Sequence, residues 1–277
     1  MKTVVTHMSV DLDAITSLWL IKTFLPLWEE ADIVFAASGS LWNNVVVDSD
    51  PDVIYVDTGL GKFDHHQTTE HTCASKRVFE YLCKEGHIDK KIQNGLERLI
   101  LLVTDLDHFA ESSYPDAPSD RYDLSLYQLV GALKYTVGSD STVVNLTFPF
   151  LEAALQVFVN KVKAEKEIKN GYILQSRWGK SILILTNNKE AMKLAQKMGF
   201  ALVVTKDPDK GFVRIKIPPS VKEDLTPLYE KIKQEDPKAY WYFHVSKHML
   251  LNDASQKPSS IPSSLTLPKL IEIINSL

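Results

Sequence analysis

Cysteine is scarce in this chain. Its two thiols, Cys73 and Cys83, have no partner at the spacing of a zinc site, which argues against a disulfide framework and against thiolate metal chemistry, and fits free, buried thiols in a reducing cytoplasm. Also missing are a Gly-x-Ser-x-Gly elbow and a Gly-x4-Gly-Lys loop, so neither an elbow-type serine nucleophile nor a nucleotide-driven motor is expected. No apolar run approaches the ~20 residues of a membrane span, the longest candidates being broken by Lys or Asp. The N-terminus, Met1-Lys2-Thr3-Val4-Val5-Thr6-His7, enters a strand pattern at once and lacks the apolar stretch and cleavage site of a secretion signal. These absences point to a cytoplasmic protein with no membrane partner.

What is present is a globular composition: 277 residues, 44% hydrophobic and 24% charged, enough for two ordinary domains, each with a core. The net charge of −4 hides an asymmetry: residues 1–150 carry 11 Lys/Arg against 22 Asp/Glu, and residues 176–277 carry 16 against 10. An acidic half suits cations and a basic half suits an anionic substrate, although solvated faces produce part of any such imbalance.

In the first half, short β-branched runs alternate with helical periodicity. Val4-Val5-Thr6, Ile33–Ala36 and Val53–Val56 read as buried strands; Ala14–Leu25 and segments near 75–85 and 91–103 read as helices. The alternation implies an α/β fold over residues 1–145, a mainly parallel sheet with helices on both faces, with ligands at the carboxyl edge of its strands. A helical stretch after Pro149 reads as a connector over residues 146–175. Residues 176–277 form a smaller C-terminal α/β domain, expected to bind substrate: strands 182–185, 202–205 and 212–217, helices 188–198 and 221–235, a Ser/Pro-rich loop over 253–264 and a last helix from about Pro268.

Four segments of the first half gather carboxylates and imidazoles at such edges. His7, Asp11 and Asp13 follow the first strand, a donor set that suits Mn²⁺, Mg²⁺ or a similar ion; Asp13 is equally suited to cap the Ala14 helix. Asp57 ends the third strand in Val56-Asp57-Thr58-Gly59, where an Asp also simply shapes turns. Asp64-His65-His66 forms an adjacent triplet in a chain with 8 histidines. Thr104-Asp105-Leu106-Asp107-His108-Phe109 closes an apolar helix, where either Asp also reads as a helix terminator facing solvent.

Together the series H-x3-D-x-D-A, V-D-T-G, D-H-H and T-D-x-x-x-F resembles motifs I to IV of the DHH phosphoesterase superfamily, which includes RecJ-type nucleases, oligoribonuclease-like and cyclic-dinucleotide phosphodiesterases, and family II inorganic pyrophosphatases. The resemblance covers about the first 110 residues. It implies two divalent cations, Mn²⁺ first with Mg²⁺ or Co²⁺ as alternatives. One would be held by His7, Asp11 and Asp57, the second by Asp13, Asp57, His65 and Asp105, with Asp57 bridging. His66 would face the substrate phosphate, and Asp64 would orient a histidine. The spacing of the fourth motif favours Asp105 over Asp107.

The glycine-rich G-G-G-H motif of many superfamily members is missing. Asp64-His65-His66-Gln67 and Phe243-His244-x-Ser246 are similar instead to the melanocyte-proliferating-gene family, which is associated with 3′–5′ RNA exonuclease activity. On that resemblance His244 and Lys247 would contact a phosphate with help from Arg214. Alternatively His244 is a satisfied buried imidazole, and Arg214 and Lys247 are solvated. A basic strip of Lys206, Lys210, Arg214 and Lys216 is a further expectation. The function expected is a 3′–5′ exonuclease or oligonucleotide phosphodiesterase acting on short nucleic acid or a nucleotide, with a homodimer as a possible assembly. The alternatives are a small-molecule phosphohydrolase (pyrophosphate, cyclic dinucleotide or bisphosphorylated nucleoside) and a non-catalytic nucleotide-binding protein.

Overall fold

The computed structural model describes residues 1–37, 40–252 and 259–277, so half of the Ser/Pro-rich loop, residues 253–258, lies outside the described residues. The chain divides into two compact units, Met1–Val159 and Asn160–Leu277.

The first unit runs β1 (Thr3–His7), α1 (Leu12–Phe24), β2 (Asp32–Ala36), β3 (Val53–Tyr55), α2 (Ala74–Lys84), α3 (Lys90–Asp107) and α4 (Leu126–Thr136), then enters α5 (Asp140–Lys169). The three strands are parallel in the order β2-β1-β3. Alternation along them sends Val4 and Ile54 into the main core and Val5, Val53 and Tyr55 to the opposite face. Helix α1 is buried from Leu12 to Ile21, as expected of a helix apolar on every side that is enclosed by other elements. The opposite sheet face differs from the expected helical cover. Trp42, Val45 and Val47 pack on it, pinned by the Tyr55 hydroxyl, which donates to Val45 O at 2.9 Å and accepts from Trp42 N at 3.1 Å. Asn43 and Asn44 there take φ of 48° and 59°, a left-handed pair that an α-helix does not tolerate.

Two boundaries bear on function. The helix expected over 91–103 continues to Asp107, so Thr104 to Asp107 of the fourth motif lie in its last turn, and His108 and Phe109 leave it. The connector expected over 146–175 is part of a helix that begins earlier, at Asp140, and carries Pro149 inside it. An internal proline costs about 3 kcal/mol. Burial of Val143, Val144, Leu151 and Leu155 in the first core offsets that cost. By length and composition α5 is apolar enough to cross a bilayer, with a mean hydropathy of 1.5 over its best window, contrary to the sequence expectation. Its apolar residues are interrupted by Asn145, Glu152 and Gln156, so a search for unbroken runs passes over it. Glu152 accepts a hydrogen bond from Trp19 Nε1 at 2.8 Å within the first unit.

The second unit comprises the end of α5, β4 (Tyr172–Ser176), β5 (Gly179–Leu185), α6 (Lys189–Lys197), β6 (Leu202–Lys206), β7 (Val213–Lys216), α7 (Thr226–Glu235), β8 (Tyr242–Phe243), β9 (Met249–Asn252) and α8 (Leu267–Asn275). Its sheet has the order β4-β5-β6-β7-β9-β8, with β5 and β6 parallel and the other pairs antiparallel. One face, with Leu202, Val204, Val213, Ile215 and Leu250, packs against Leu228 and Ile232 of α7 and Leu270 and Ile273 of α8. Helix α7 starts at Thr226 rather than near 221, where Asp224 accepts from Thr226 N at 2.8 Å and Pro227 takes a first-turn position.

Candidate metal centre

Each motif reaches the carboxyl edge of the parallel sheet by a local device. His7 is the last residue of β1, and Asp11 is the N-cap of α1, its Oδ1 accepting from Ala14 N at 2.9 Å. The capping role open to Asp13 therefore belongs to Asp11. Asp13 lies in the first turn of the helix, and its two oxygens accept from Ala74 N at 2.7 Å and Ser75 N at 2.9 Å, holding the start of α2. The loop between His7 and Asp11 is tied down by Asp140 of α5, which accepts from Ser9 N at 2.9 Å and Val10 N at 3.1 Å. Asp57 leaves β3 in a left-handed conformation, φ 54°. Asp tolerates this region better than most residues, and here it aims the carboxylate across the ends of the strands.

The result is a cluster centred on the buried Asp57. His7 Nε2 lies 3.2 Å from its Oδ2 and 3.8 Å from Asp11 Oδ2. His65 Nε2 lies 3.3 Å from Asp57 Oδ1, 3.6 Å from Asp107 Oδ2 and 4.0 Å from Asp13 Oδ2. Asp57 Oδ1 is buried and meets no hydrogen-bond geometry, although His65 Nε2 lies 3.3 Å away. A buried carboxylate oxygen left in that state is costly unless a cation approaches it. Three groups of potential ligands overlap here: His7, Asp11 and Asp57; Asp57, His65 and His66; and His65, Asp107 and His108. Oxygen and imidazole donors without thiolate suit Mn²⁺, Mg²⁺ or Co²⁺, so the residues fit divalent ions of that kind.

The four motifs thus meet at one strand edge. Comparisons with solved structures return a phosphodiesterase, RecJ and a DHH domain at low similarity. A pGpG-specific phosphodiesterase, PggH of Vibrio cholerae, is 12% identical over 98% of each chain with a TM-score of 0.36. RecJ of Thermus thermophilus in complex with Mg²⁺ is 11% identical with a TM-score of 0.30, the present chain spanning 49% of it. The DHH domain PF0399 is 11% identical over 99% of this chain and 86% of that one, with a TM-score of 0.31. No family model and no curated protein matches. Similarity this low transfers no activity, and the functional reading rests on the motifs and on the geometry of the site.

The fold carries one expected ligand away. In an α-helix residues two apart are separated by about 200°, so Asp105 and Asp107 of α3 cannot both face the cluster. Asp107 does, with its side chain 19% exposed. Asp105 is 52% exposed and lies 3.1 Å from His71 Nε2. The T-D-x-x-x-F spacing pointed to Asp105 because it fixes position in the sequence and not azimuth on the helix.

His108, which the sequence reading did not single out, also faces the cluster. Its Nε2 is 2.9 Å from Thr72 O; a carbonyl only accepts, so this nitrogen carries the proton and Nδ1 keeps the lone pair. His7 is held in the same way, with Nδ1 donating to Met8 O at 2.8 Å and Nε2 turned to the carboxylates. A backbone carbonyl behind the imidazole is the usual support of a metal-bound histidine. The only sequence signal for His108 was its place beside Asp107.

Asp64 is 1% exposed and accepts from Leu60 N at 2.7 Å, from His66 N at 3.1 Å and from His66 Nδ1 at 2.7 Å. His66 is therefore fixed by one nitrogen while its side chain stays 59% exposed, bordering a cavity of about 510 Å³ that His7, Asp11, Asp57, His65 and Asp107 also line. Cys73 is buried, its Sγ 3.2 Å from both Ser75 Oγ and Thr104 Oγ1, and burial raises its thiol far above the ordinary range, which leaves it inert.

The metal-free cluster holds protons. Burial works to lower His7, yet the bonds to Asp57 and to Met8 O raise it to about 9. His65 is raised to about 9, chiefly by the approach of Asp57, and burial followed by repulsion from Asp57 raises Asp13 to about 7. Burial also opposes ionisation of Asp57, but His65 and His7 outweigh it and hold this carboxyl low. Cation binding must then displace protons from His7 and His65. We expect Mn²⁺ affinity to rise steadily from pH 6 to 9, with proton release seen by calorimetry in buffers of different ionisation enthalpy; an affinity flat across this range contradicts the assignment. The raised imidazoles also stabilise the metal-free fold fully below their ordinary value, and that contribution is lost as pH climbs through about 9.

In the second unit, Arg214 lies on β7 and lines a cavity with Thr205 and Lys216. His244 Nδ1 accepts from Ser246 N at 3.1 Å. Lys247 sits in the β8–β9 turn with φ 58°, its Nζ 3.4 Å from Asp224, so its charge is engaged by the segment that leads into α7. Lys206 leaves the expected basic strip, because its Nζ donates to Gly211 O at 3.0 Å and Ser263 O at 3.1 Å.

Proposed function

We propose that the N-terminal unit is the catalytic site of a two-metal phosphoesterase of the DHH type. The observation that carries this reading is the buried Asp57 carboxylate, shared between the His7–Asp11 group and the His65–His66 group, with one oxygen accepting no hydrogen bond. His7, Asp11 and Asp57 would hold one divalent cation, and Asp57, His65, Asp107 and His108 the other, with Asp13 bordering it. Bound there, such ions supply an activated water and offset the charge that builds on a phosphoryl group. The chain's own contribution is placement. Asp64 fixes Nδ1 of His66, so that Nε2 is presented to a phosphate oxygen in the adjoining cavity, and the Asp57 turn and the Asp140 anchor keep the ligands in register.

The finer reading is a 3′–5′ exonuclease or oligonucleotide phosphodiesterase on short single strands. It is supported by Asp64-His65-His66-Gln67, by Phe243-His244-x-Ser246 and by the basic second unit. Incubation with Mn²⁺ and a panel of 5′-labelled RNA, 5′-labelled DNA, cyclic dinucleotides and pyrophosphate tests it, with Asp57→Ala as the control. The expected result is a ladder of shortening RNA that disappears in the control. A cavity of about 510 Å³ also suits a free nucleotide-sized ligand, and turnover confined to cyclic dinucleotide or pyrophosphate would establish that second reading.

The place given to His108 has its own test. His108→Ala is expected to weaken Mn²⁺ binding about 10- to 100-fold by calorimetry, the range for groups that tune a metal site. Unchanged affinity would return His108 to a purely structural role under Thr72.

A further inference from the structure

The cavity beside the metal cluster has a lining of two kinds. Asp57 and Asp64 are buried in it, whereas Met8, Leu41 and Leu60, all large and apolar, stand exposed around the same space. Single exposed apolar side chains are ordinary on a protein surface; three gathered on one cavity call for a partner. Among the described residues that line this cavity there is no lysine or arginine.

Leu60 is the most exposed of the three, at 64%, and takes φ 58°, a left-handed conformation that is strained for a bulky side chain. The turn around it fixes that conformation. Its N–H donates to Asp64 Oδ2 at 2.7 Å. A Cβ on Gly59 would lie 2.8 Å from Val47 Cγ2, and one on Gly61 would collide with the Val47 side chain and lie 2.7 Å from Asp48 Oδ2. Glycine on either side therefore lets Val47 and Asp48 pack on the turn, and the leucine between them is left facing solvent. Met8 is held through its N–H, which donates to Ala36 O at 2.9 Å. Leu41 immediately precedes Trp42, whose N–H donates to the Tyr55 hydroxyl at 3.1 Å. The backbone under all three is thus anchored, and strain and exposure of this kind persist where a site makes use of them.

Two observations choose the occupant. A cavity of about 510 Å³ has room for a drug-sized molecule, more than one phosphate group fills. A lining without lysine or arginine gives a compact, highly charged anion such as pyrophosphate no side-chain cation to pair with. The apolar lip instead takes from water a planar, uncharged group attached to the phosphate. We propose that Met8, Leu41 and Leu60 seat the base of the nucleotide whose phosphate lies at the metal cluster, so that the site selects nucleotides over inorganic phosphates. The proposal deepens the phosphoesterase reading and rests on it for the position of the phosphate.

Calorimetric titration of the full chain at saturating Mn²⁺ tests it with AMP and ribose 5-phosphate, which share the phosphorylated sugar and differ in the base. AMP is expected to bind about tenfold or more tightly. Leu60→Asn, a residue at ease in the left-handed region, and Met8→Gln, close to methionine in size, are each expected to weaken AMP about fivefold, the scale of losing part of a buried apolar side chain. Both are expected to leave ribose 5-phosphate within about twofold. Leu60→Gly is expected to give the same loss of AMP affinity with no fall in melting temperature, because glycine relieves the strain at φ 58°; that result separates the base from the fold. Equal affinity for AMP and ribose 5-phosphate overturns the proposal, as does a preference for AMP that survives in the double variant Met8→Gln/Leu60→Asn. Hydrolysis of the substrate panel by the unsubstituted chain is read separately. Hydrolysis without a preference for AMP rejects this subsite and keeps the enzyme. A variant-sensitive preference without hydrolysis rejects the enzyme and keeps the subsite.

Discussion

Asp57→Asn is expected to lower turnover on the order of 10³-fold or more and to cut the bound Mn²⁺ from two ions to at most one. Asp57 is 3% exposed, is approached from both sides by His7 and His65, and is the residue common to two of the ligand groups. Asparagine preserves its volume but removes the charge and turns one oxygen into a donor facing His7 or His65. Removing one preorganised stabilising group from an active site already costs about 10²- to 10³-fold, and here the loss falls on both ions together. Turnover measured at saturating Mn²⁺, with metal stoichiometry by calorimetry, gives the answer. A variant that keeps two ions and more than a tenth of its activity would show that Asp57 is a turn-former and that the cluster lies elsewhere.

The second large effect separates two residues that the sequence cannot tell apart. Asp107→Asn is expected to reduce activity about 100-fold or more and to weaken metal binding, the scale associated with loss of a charged stabilising group at a reacting centre. Asp105→Asn is expected to stay within about twofold, because an exposed pair such as Asp105–His71 contributes about 1 kcal/mol or less. The reverse ranking would mean that the last turn of α3 rewinds when ions bind, bringing Asp105 inward as the motif spacing suggests. Mn²⁺ titrations of both variants beside the unsubstituted chain distinguish the two outcomes.

Much of the first unit was legible because its signals are local. β-branched runs locate β1, β2 and β3, and the polar residues that follow them, His7, Asp11 and Asp57, must emerge at one edge once parallel strands are assumed. The resemblance implied that Asp64 orients a histidine without saying which, and the turn pairs it with His66 at 2.7 Å. Pattern failed where a property depends on an angle or on a distant neighbour. Helix α3 runs past 103 because Leu106 still packs on the main core, and that added turn decides which aspartate faces inward. Asp13 holds the start of α2, and Asp140 holds the first loop, through bonds spanning 61 and 131 residues that no local window contains. In the second unit, Arg214, Lys206 and Lys247 looked alike as basic residues. Register placed the first beside Lys216 in the lining of a cavity, Gly211 and Ser263 engaged the second, and Asp224 the third.

By itself, the sequence determined the donor chemistry of this protein: which oxygens and imidazoles exist, that no thiolate competes with them, and that they fall at the ends of strands. Those properties follow from residue type and from periodicities of two and 3.6, both carried by neighbours in the chain. The tertiary structure alone decided which donors converge, that Asp107 and His108 join them while Asp105 does not, and which basic side chains share a sheet face. Convergence depends on strand register, helix azimuth and the packing of residues far apart in sequence, and these are fixed only when the cores close.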